Sequence, residues 1–161
     1  MLGRIKIYLL FIVAFGLHTA NGQPPKTVKP NQHTSQKFKP PKLYTTLGIR
    51  SDTVAVVVEE AIQLIRIPLK ITDDKKNLYT ISSYQFLYKR RTVSEDEKTG
   101  KAVPASSIVS DLFRSTPLPD LWKNLLTEQI KPGEELFFFD IIVTDASGRF
   151  MFAPNLKLLV K

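Results

Sequence analysis

The sequence predicts a mainly β domain, an antiparallel β-sandwich of Ig-like type with one amphipathic helix. Three observations predict it. Over residues 43–161, short β-branched and aromatic runs recur between polar turn clusters. One segment, residues 115–133, instead spaces its apolar residues at helical intervals. The 161 residues contain no cysteine, so the fold must be held by a core rather than by disulfides.

Residues 1–22 read as a secretory signal. Arg4 and Lys6 supply its positive start, residues 7–17 are almost unbroken apolar sequence, and Ala20 and Gly22 stand at the −3 and −1 positions of a cut before Gln23. The apolar run is short against the ~20 residues needed to span a bilayer, so cleavage leaves no stable membrane anchor. No cysteine follows the signal to carry a lipid, and no Asn-x-Ser/Thr sequon is present. The expectation is a bacterial periplasmic or secreted protein. Residues 23–42 hold five Pro and five Lys, a basic proline-rich tether with too few apolar groups to pack. The domain then occupies residues 43–161. The net charge of +8 belongs mostly to the ends: the signal carries +2 and the tether +5, while residues 43–161 carry only +1. Nucleic-acid binding by the domain loses its electrostatic support.

Within the domain, residues 53–61 and 63–72 read as β-branched strands, the second interrupted by Pro68. Residues 72–77 form a polar turn. Residues 78–91 read as a long strand with Tyr84, Phe86 and Tyr88 on one face and Gln85, Leu87 and Lys89 on the other. Residues 92–101 are charged and read as a loop, and 106–113 as a short strand. The helix over 115–133 places Leu118, Leu121, Trp122, Leu125, Leu126 and Ile130 on its apolar side, with Ser115 or Thr116 as cap and Lys131-Pro132-Gly133 as stop. Two strands close the chain, 134–144 and 149–160, around the turn Asp145-Ala-Ser-Gly148. Counting the strand pattern that begins at Leu43, the expectation is seven short strands and one helix.

That turn implies a register. With Asp145 opposite Arg149, Thr144 faces Phe150, Ile142 faces Phe152, Phe138 faces Leu156 and Leu136 faces Leu158, an apolar set that forms the expected core face. Asp140 falls on that face opposite Pro154, where it would accept backbone hydrogens freed by a broken ladder. Phe137, Phe139, Ile141 and Val143 then occupy the second face. Its nearest cover is the preceding helix through Trp122, Leu125 and Leu126. Left bare, it is an aromatic docking patch for a partner or a second copy.

The domain has no His and no Cys; the sole histidine beyond the signal is His33, in the tether. Ser-His-Asp and Cys-His catalysis and ordinary zinc sites have no residues to use there. The acids Glu59-Glu60, Asp73-Asp74, Glu95-Asp96-Glu97 and Glu134-Glu135 are adjacent pairs or runs, which a strand sends to opposite faces. No catalytic residue, cofactor or metal is assigned. Lys89-Arg90-Arg91 ends a strand beside an acidic loop and could receive an acidic partner, although a solvated strand end balanced by that loop is the simpler reading. The candidate interface is therefore Phe137, Phe139 and Ile141 with Lys89, Arg90 and Arg91.

The order of residues 79–90 (YTISSYQFLYKR), the helix, residues 130–150 (IKPGEELFFFDIIVTDASGRF) and the closing residues 155–161 (NLKLLVK) resembles the C-terminal domain of GldM. GldM is a periplasmic component of the gliding-motility and type IX secretion machinery of Bacteroidetes. Matching positions include Gly133, Glu134, Ile141, Asp145, Gly148 and Leu158. The resemblance covers about half the chain and consists of fold-setting residues. It implies a β-sandwich and a non-enzymatic protein-interaction role with an envelope or periplasmic partner, through a sheet edge or the aromatic face, and allows an oligomer. GldM carries a membrane helix and further periplasmic domains before this region, so the expectation is a stand-alone exported relative. The competing expectation is a carboxylate-based hydrolase or carbohydrate-binding protein built from distant acids.

Overall fold

The computed structural model describes residues 38–161; the expected signal and the expected tether up to residue 37 lie outside the described residues. β1 (Leu43–Leu47) buries Leu43, Thr45 and Leu47 in the alternation of a one-sided strand. Gly48, at φ +61°, turns the chain into the short β2 (Arg50–Ser51), and β3 (Thr53–Val56) follows. The next stretch differs from the strands expected over 53–61 and 63–72. After β3 the chain coils into α1 (Val58–Leu64) and becomes extended again only at β4 (Leu69–Asp73), after Pro68. Val57, Val58 and Ile62 favour extended backbone locally. However, Ala61 lies three and four residues before Leu64 and Ile65, and a helix buries all three together, so packing overrides propensity. Glu59 and Glu60 sit in its first turn, where the helix dipole favours acids.

β5 (Leu78–Glu95) and β6 (Ala102–Phe113) form a long hairpin, paired continuously from Tyr84↔Phe113 to Glu95↔Ala102. Thr92–Glu95, the first part of the loop expected over 92–101, are therefore strand, because each strand satisfies the other's backbone groups whatever the side chains. The remaining turn is organised by Asp96, whose carboxylate accepts the Lys98 N–H at 3.1 Å and the Thr99 N–H and hydroxyl at 2.8 Å each.

α2 (Asp120–Gln129) is shorter than expected, and neither Ser115 nor Thr116 caps it. Both are used elsewhere: the Thr116 hydroxyl accepts the Leu69 N–H at 2.7 Å, and the Ser115 carbonyl accepts the Tyr84 hydroxyl at 3.2 Å. Trp122 and Leu126 are buried, with Leu118 before the helix and Ile130 after it, whereas Leu121 points to solvent. Trp122 stands edge-on to Phe86, with centroids 5.2 Å apart, and to Phe113 at 6.0 Å; Phe86 in turn meets Phe138 at 4.9 Å.

β7 (Glu135–Thr144), β8 (Phe150–Ala153) and β9 (Leu156–Val160) complete the domain. The strand order is β2–β1–β4–β5–β7–β9–β3, with β6 also on β5 and β8 also on β7. All pairings are antiparallel except β3 with β9. The described chain thus has nine strands and two helices rather than seven and one; it is mainly β, predominantly antiparallel and nearly barrel-shaped. The Thr45 hydroxyl donates to the Pro154 carbonyl at 2.5 Å, tying β1 to the β8–β9 junction. No helix among the described residues is long and apolar enough to cross a membrane.

The β7 register is the one the turn implies: Thr144↔Phe150, Ile142↔Phe152, Phe138↔Leu156 and Leu136↔Leu158. The buried face, however, changes partway along. Leu136 and Phe138 are buried, and then Ile141 and Val143. Across from them, Leu156 and Leu158 are buried on β9, but Met151 and Ala153 on β8. Ile142, Phe150 and Phe152, expected in the core, therefore face outward. The cause is a β-bulge at Asp140, which has φ +48°. Gln85 pairs with Phe139 and Ser83 with Ile142, so Tyr84 alone spans the level at which β7 inserts Asp140 and Ile141. A compensating irregularity on β5 lies between Ile81 and Ser83. Asp140 is accordingly exposed rather than in the core. It accepts the Gln85 side-chain amide at 2.9 Å instead of backbone hydrogens.

Below the bulge, the exit from α2 is held by a buried carboxylate. Glu134 is 2% exposed and accepts hydrogen bonds from the Tyr88 hydroxyl, the Arg91 N–H at 3.1 Å and the Lys131 N–H at 3.0 Å. Gly133, at φ +87°, donates its N–H to the Val160 carbonyl at 2.7 Å, and an added Cβ would lie 2.4 Å from Arg91 Nη1. Gly133→Ala should cost about 1–3 kcal/mol in urea unfolding, because a non-glycine residue is strained at this φ. Adding Arg91→Ala should recover only the clash, leaving most of that loss. Burial pushes the Tyr84 hydroxyl up to about 12. Burial, and then the Glu134 hydrogen bond, raises Tyr88 also. Both groups stabilise the fold fully below about pH 10, where the unfolded tyrosines are still neutral. As pH rises further the unfolded chain ionises first and stability falls. Tyr84→Phe should flatten this alkaline limb in unfolding curves between about pH 10 and 12.

Candidate functional site

The face of the sheet turned away from α2 is built by cross-strand neighbours. Leu112, Gln85 and Phe139 share one row, and Ser110, Leu87, Phe137 and Lys157 the next. Phe137 and Phe139, two residues apart on β7, project from the same side and stack with centroids 5.0 Å apart and ring planes within 8°. Both are half-buried. Trp122 does not cover them: it packs against Phe86 and Phe113, on the opposite face with Phe138. Tyr84, Phe86 and Tyr88 on β5 offer that inner face an aromatic surface, and α2 lies on it.

Past the bulge, Ile142, Phe150 and Phe152 join the same outer face. Phe150 and Phe152 are 71% and 76% exposed, and Leu112 is 52% exposed. Together with Phe137 and Phe139 they form an apolar strip along β7 and its neighbours, large side chains of the kind a folded chain ordinarily buries. A hollow of about 380 Å³ opens in it, walled by Leu112, Phe150 and Phe152 over Ile142. Sequence reasoning missed Leu112, Ile142, Phe150 and Phe152 as surface groups. The available signal was a slip of one residue in the apolar phase, from Phe138 to Ile141, matched by Ala153 to Leu156 on the returning chain.

The remaining candidates separate. Ile141 is fully buried on the inner face rather than sharing the outer face with Phe137 and Phe139, a correction that follows directly from the bulge. Lys89 lies on the outer face and donates to Glu135 at 3.3 Å; Lys157 reaches the same carboxylate at 2.6 Å from the other side. The Lys157 bond, against the opposing effect of burial and with Lys89 assisting, holds the Glu135 carboxyl below its ordinary range. Arg90 instead lies over the Tyr88 ring at 5.9 Å, and Arg91 folds against Gly133. The three consecutive cations thus serve three different places and do not make one basic patch.

The acids are also dispersed. Glu60 pairs with Arg50 at 2.6 Å. Asp73 is held below the usual carboxylate range, first by the Asn77 side chain and then by the N–H groups of Asn77 and Lys75, with the Tyr79 hydroxyl adding to them. Asp74 accepts the Tyr44 hydroxyl at 2.5 Å, and Asp145 closes the β7–β8 turn through Arg149. No group of three or more His, Cys, Asp or Glu able to hold a metal occurs among the described residues. Comparison with protein-family models and with curated proteins returned no match to this chain.

The division into faces has a direct test. Ile141→Ala should destabilise the protein by about 2–5 kcal/mol, as expected for a buried aliphatic residue. Phe152→Ser should stay within about 0.5 kcal/mol of wild type. Urea denaturation of the two variants checks the assignment, and the reverse order would contradict it.

Proposed function

We propose that this chain is an exported, non-enzymatic protein-interaction module of the bacterial envelope that docks a protein partner on the outer face of its sheet. One observation carries the reading: Phe137, Phe139, Phe150, Phe152, Leu112 and Ile142 share one solvent-facing surface, while the core has its own aromatic set on the other side. Leaving such a surface in water costs solubility, and an interface is the usual reason to retain it. The secretory signal in the sequence supports export, and the near-neutral domain argues against nucleic acid as the partner.

The resemblance to the GldM C-terminal domain supports a relation to gliding-motility and type IX secretion components. Its matching residues do architectural work here. Gly133 and Gly148 sit at positive φ, Asp145 closes a turn, Glu134 is the buried acceptor, and Ile141 and Leu158 are core. The resemblance therefore speaks for a shared scaffold and not for a shared contact surface. In the same reading the folded-over sheet is an Ig-like sandwich, with β2–β1–β4 as one layer and the strands from β6 to β3 as the other, joined through β5.

Photo-crosslinking in cells that express the protein tests the reading. A crosslinking amino acid at Leu112 or Phe152 should give a discrete adduct with one envelope protein. The same group at Glu128, on the exposed side of α2, should not. Equal labelling from all three positions would sink the reading.

A further inference from the structure

We propose that the hollow beside Arg114 is a binding site for a polypeptide C-terminus that ends in a large apolar residue. The inference rests on the docking reading and specifies which part of the partner is recognised. The hollow lies where the pairing of β5 with β6 ends at Tyr84↔Phe113, leaving Ser82 and Ser83 uncovered on that side. Leu112 forms one wall, Phe150 and Phe152 the other, and the volume of about 380 Å³ suits one large side chain with its terminal group rather than a long acyl chain.

Its one charged lining residue is a cation. Arg114 lines the rim, is exposed, and makes no ion pair among the described residues, whereas Lys89, Lys157 and Arg149, which border the strip, each have an acid. The Ser82 hydroxyl lies 3.4 Å from Thr144 Oγ1, and Ser83 lines the same space. A guanidinium fork with hydroxyls beside it matches a carboxylate. A carboxylate and an apolar side chain carried on the same residue describe a chain terminus. From the hollow, the apolar strip continues over Phe139 and Phe137, which gives the preceding residues of an extended partner a surface to lie on.

The test is fluorescence anisotropy with the purified full-length exported protein and a labelled six-residue peptide ending in phenylalanine with a free carboxylate. The expected result is saturable binding that weakens about tenfold when the terminus is amidated, and by a similar factor in Arg114→Gln, as for loss of one charge-assisted hydrogen bond. The two losses should not add, since they remove the same contact. Phe152→Ser should also weaken binding, and circular dichroism should show both variants folded. Dodecanoate at equal concentration should leave the peptide bound. Equal affinity for the amidated peptide would overturn the terminus site while leaving the docking face standing. Displacement by dodecanoate would assign the hollow to a lipid instead, and absence of binding by the wild type would also overturn the proposal.

Discussion

The architecture depends on a single irregular line across the sheet, at the level of Asp140. β7 inserts one residue there, β5 answers with its own irregularity near Ser82, and the β8–β9 chain breaks at Pro154 and Asn155. Aspartate tolerates the left-handed backbone that the insertion requires. Proline has no N–H to lose from the ladder. Because all these chains change phase at one level, the register survives while the buried face switches, and a bulge also bends and twists the strands that carry it. At this level the Thr45 hydroxyl of β1 donates to the Pro154 carbonyl, and the sheet is curled and nearly barrel-shaped.

Two consequences follow for packing. Below the line, the inner face is aromatic, with Tyr84, Phe86 and Phe138 meeting Trp122 of α2 and Phe113 of β6. Above it, aliphatic Ile141 and Val143 take over, with Met151 and Ala153 opposite. Glu134 secures the lower end. A buried carboxylate is stable only when its lone pairs are used, and here one tyrosine hydroxyl and two backbone N–H groups use them. The exit of α2 and the edge of β5 are thereby joined to the start of β7 through one side chain.

The outer face is the complement of this arrangement. Each residue sent inward at 136, 138, 141 and 143 sends a neighbour outward. The neighbours at 137, 139 and 142 are apolar, as are Phe150 and Phe152 across the hairpin. The polar groups bordering this strip are mostly paired locally, as in the Lys89–Glu135–Lys157 row and the Asp145–Arg149 turn. Arg114 stands apart from these pairs beside the hollow, which concentrates the unmatched chemistry of this face at one point.

Much of the domain was legible in its sequence because the interactions involved are local. Gly148 and Asp145 specify the hairpin and, through it, a register that the structure keeps residue by residue. The alternation of Tyr84, Phe86 and Tyr88 identifies an inner face. The spacing of Trp122, Leu126 and Ile130 identifies a helix. Other elements required long-range contacts. Residues 58–64 are β-branched enough to read as strand, and only their burial makes them a helix. Ser115 and Thr116 look like caps until Tyr84 and Leu69 claim them. The outer face was the least legible part: three successive phenylalanines reveal that both faces of β7 are apolar, but not where the faces exchange. A side chain's type is a local property, whereas its side of the sheet depends on every residue counted along the strand and on the strands beside it. Sequence alone determined the strands, the turn and the pairing of the final hairpin. Tertiary structure decided which of its aromatic residues are core and which meet solvent, because one inserted residue at Asp140 inverts the assignment of all that follow.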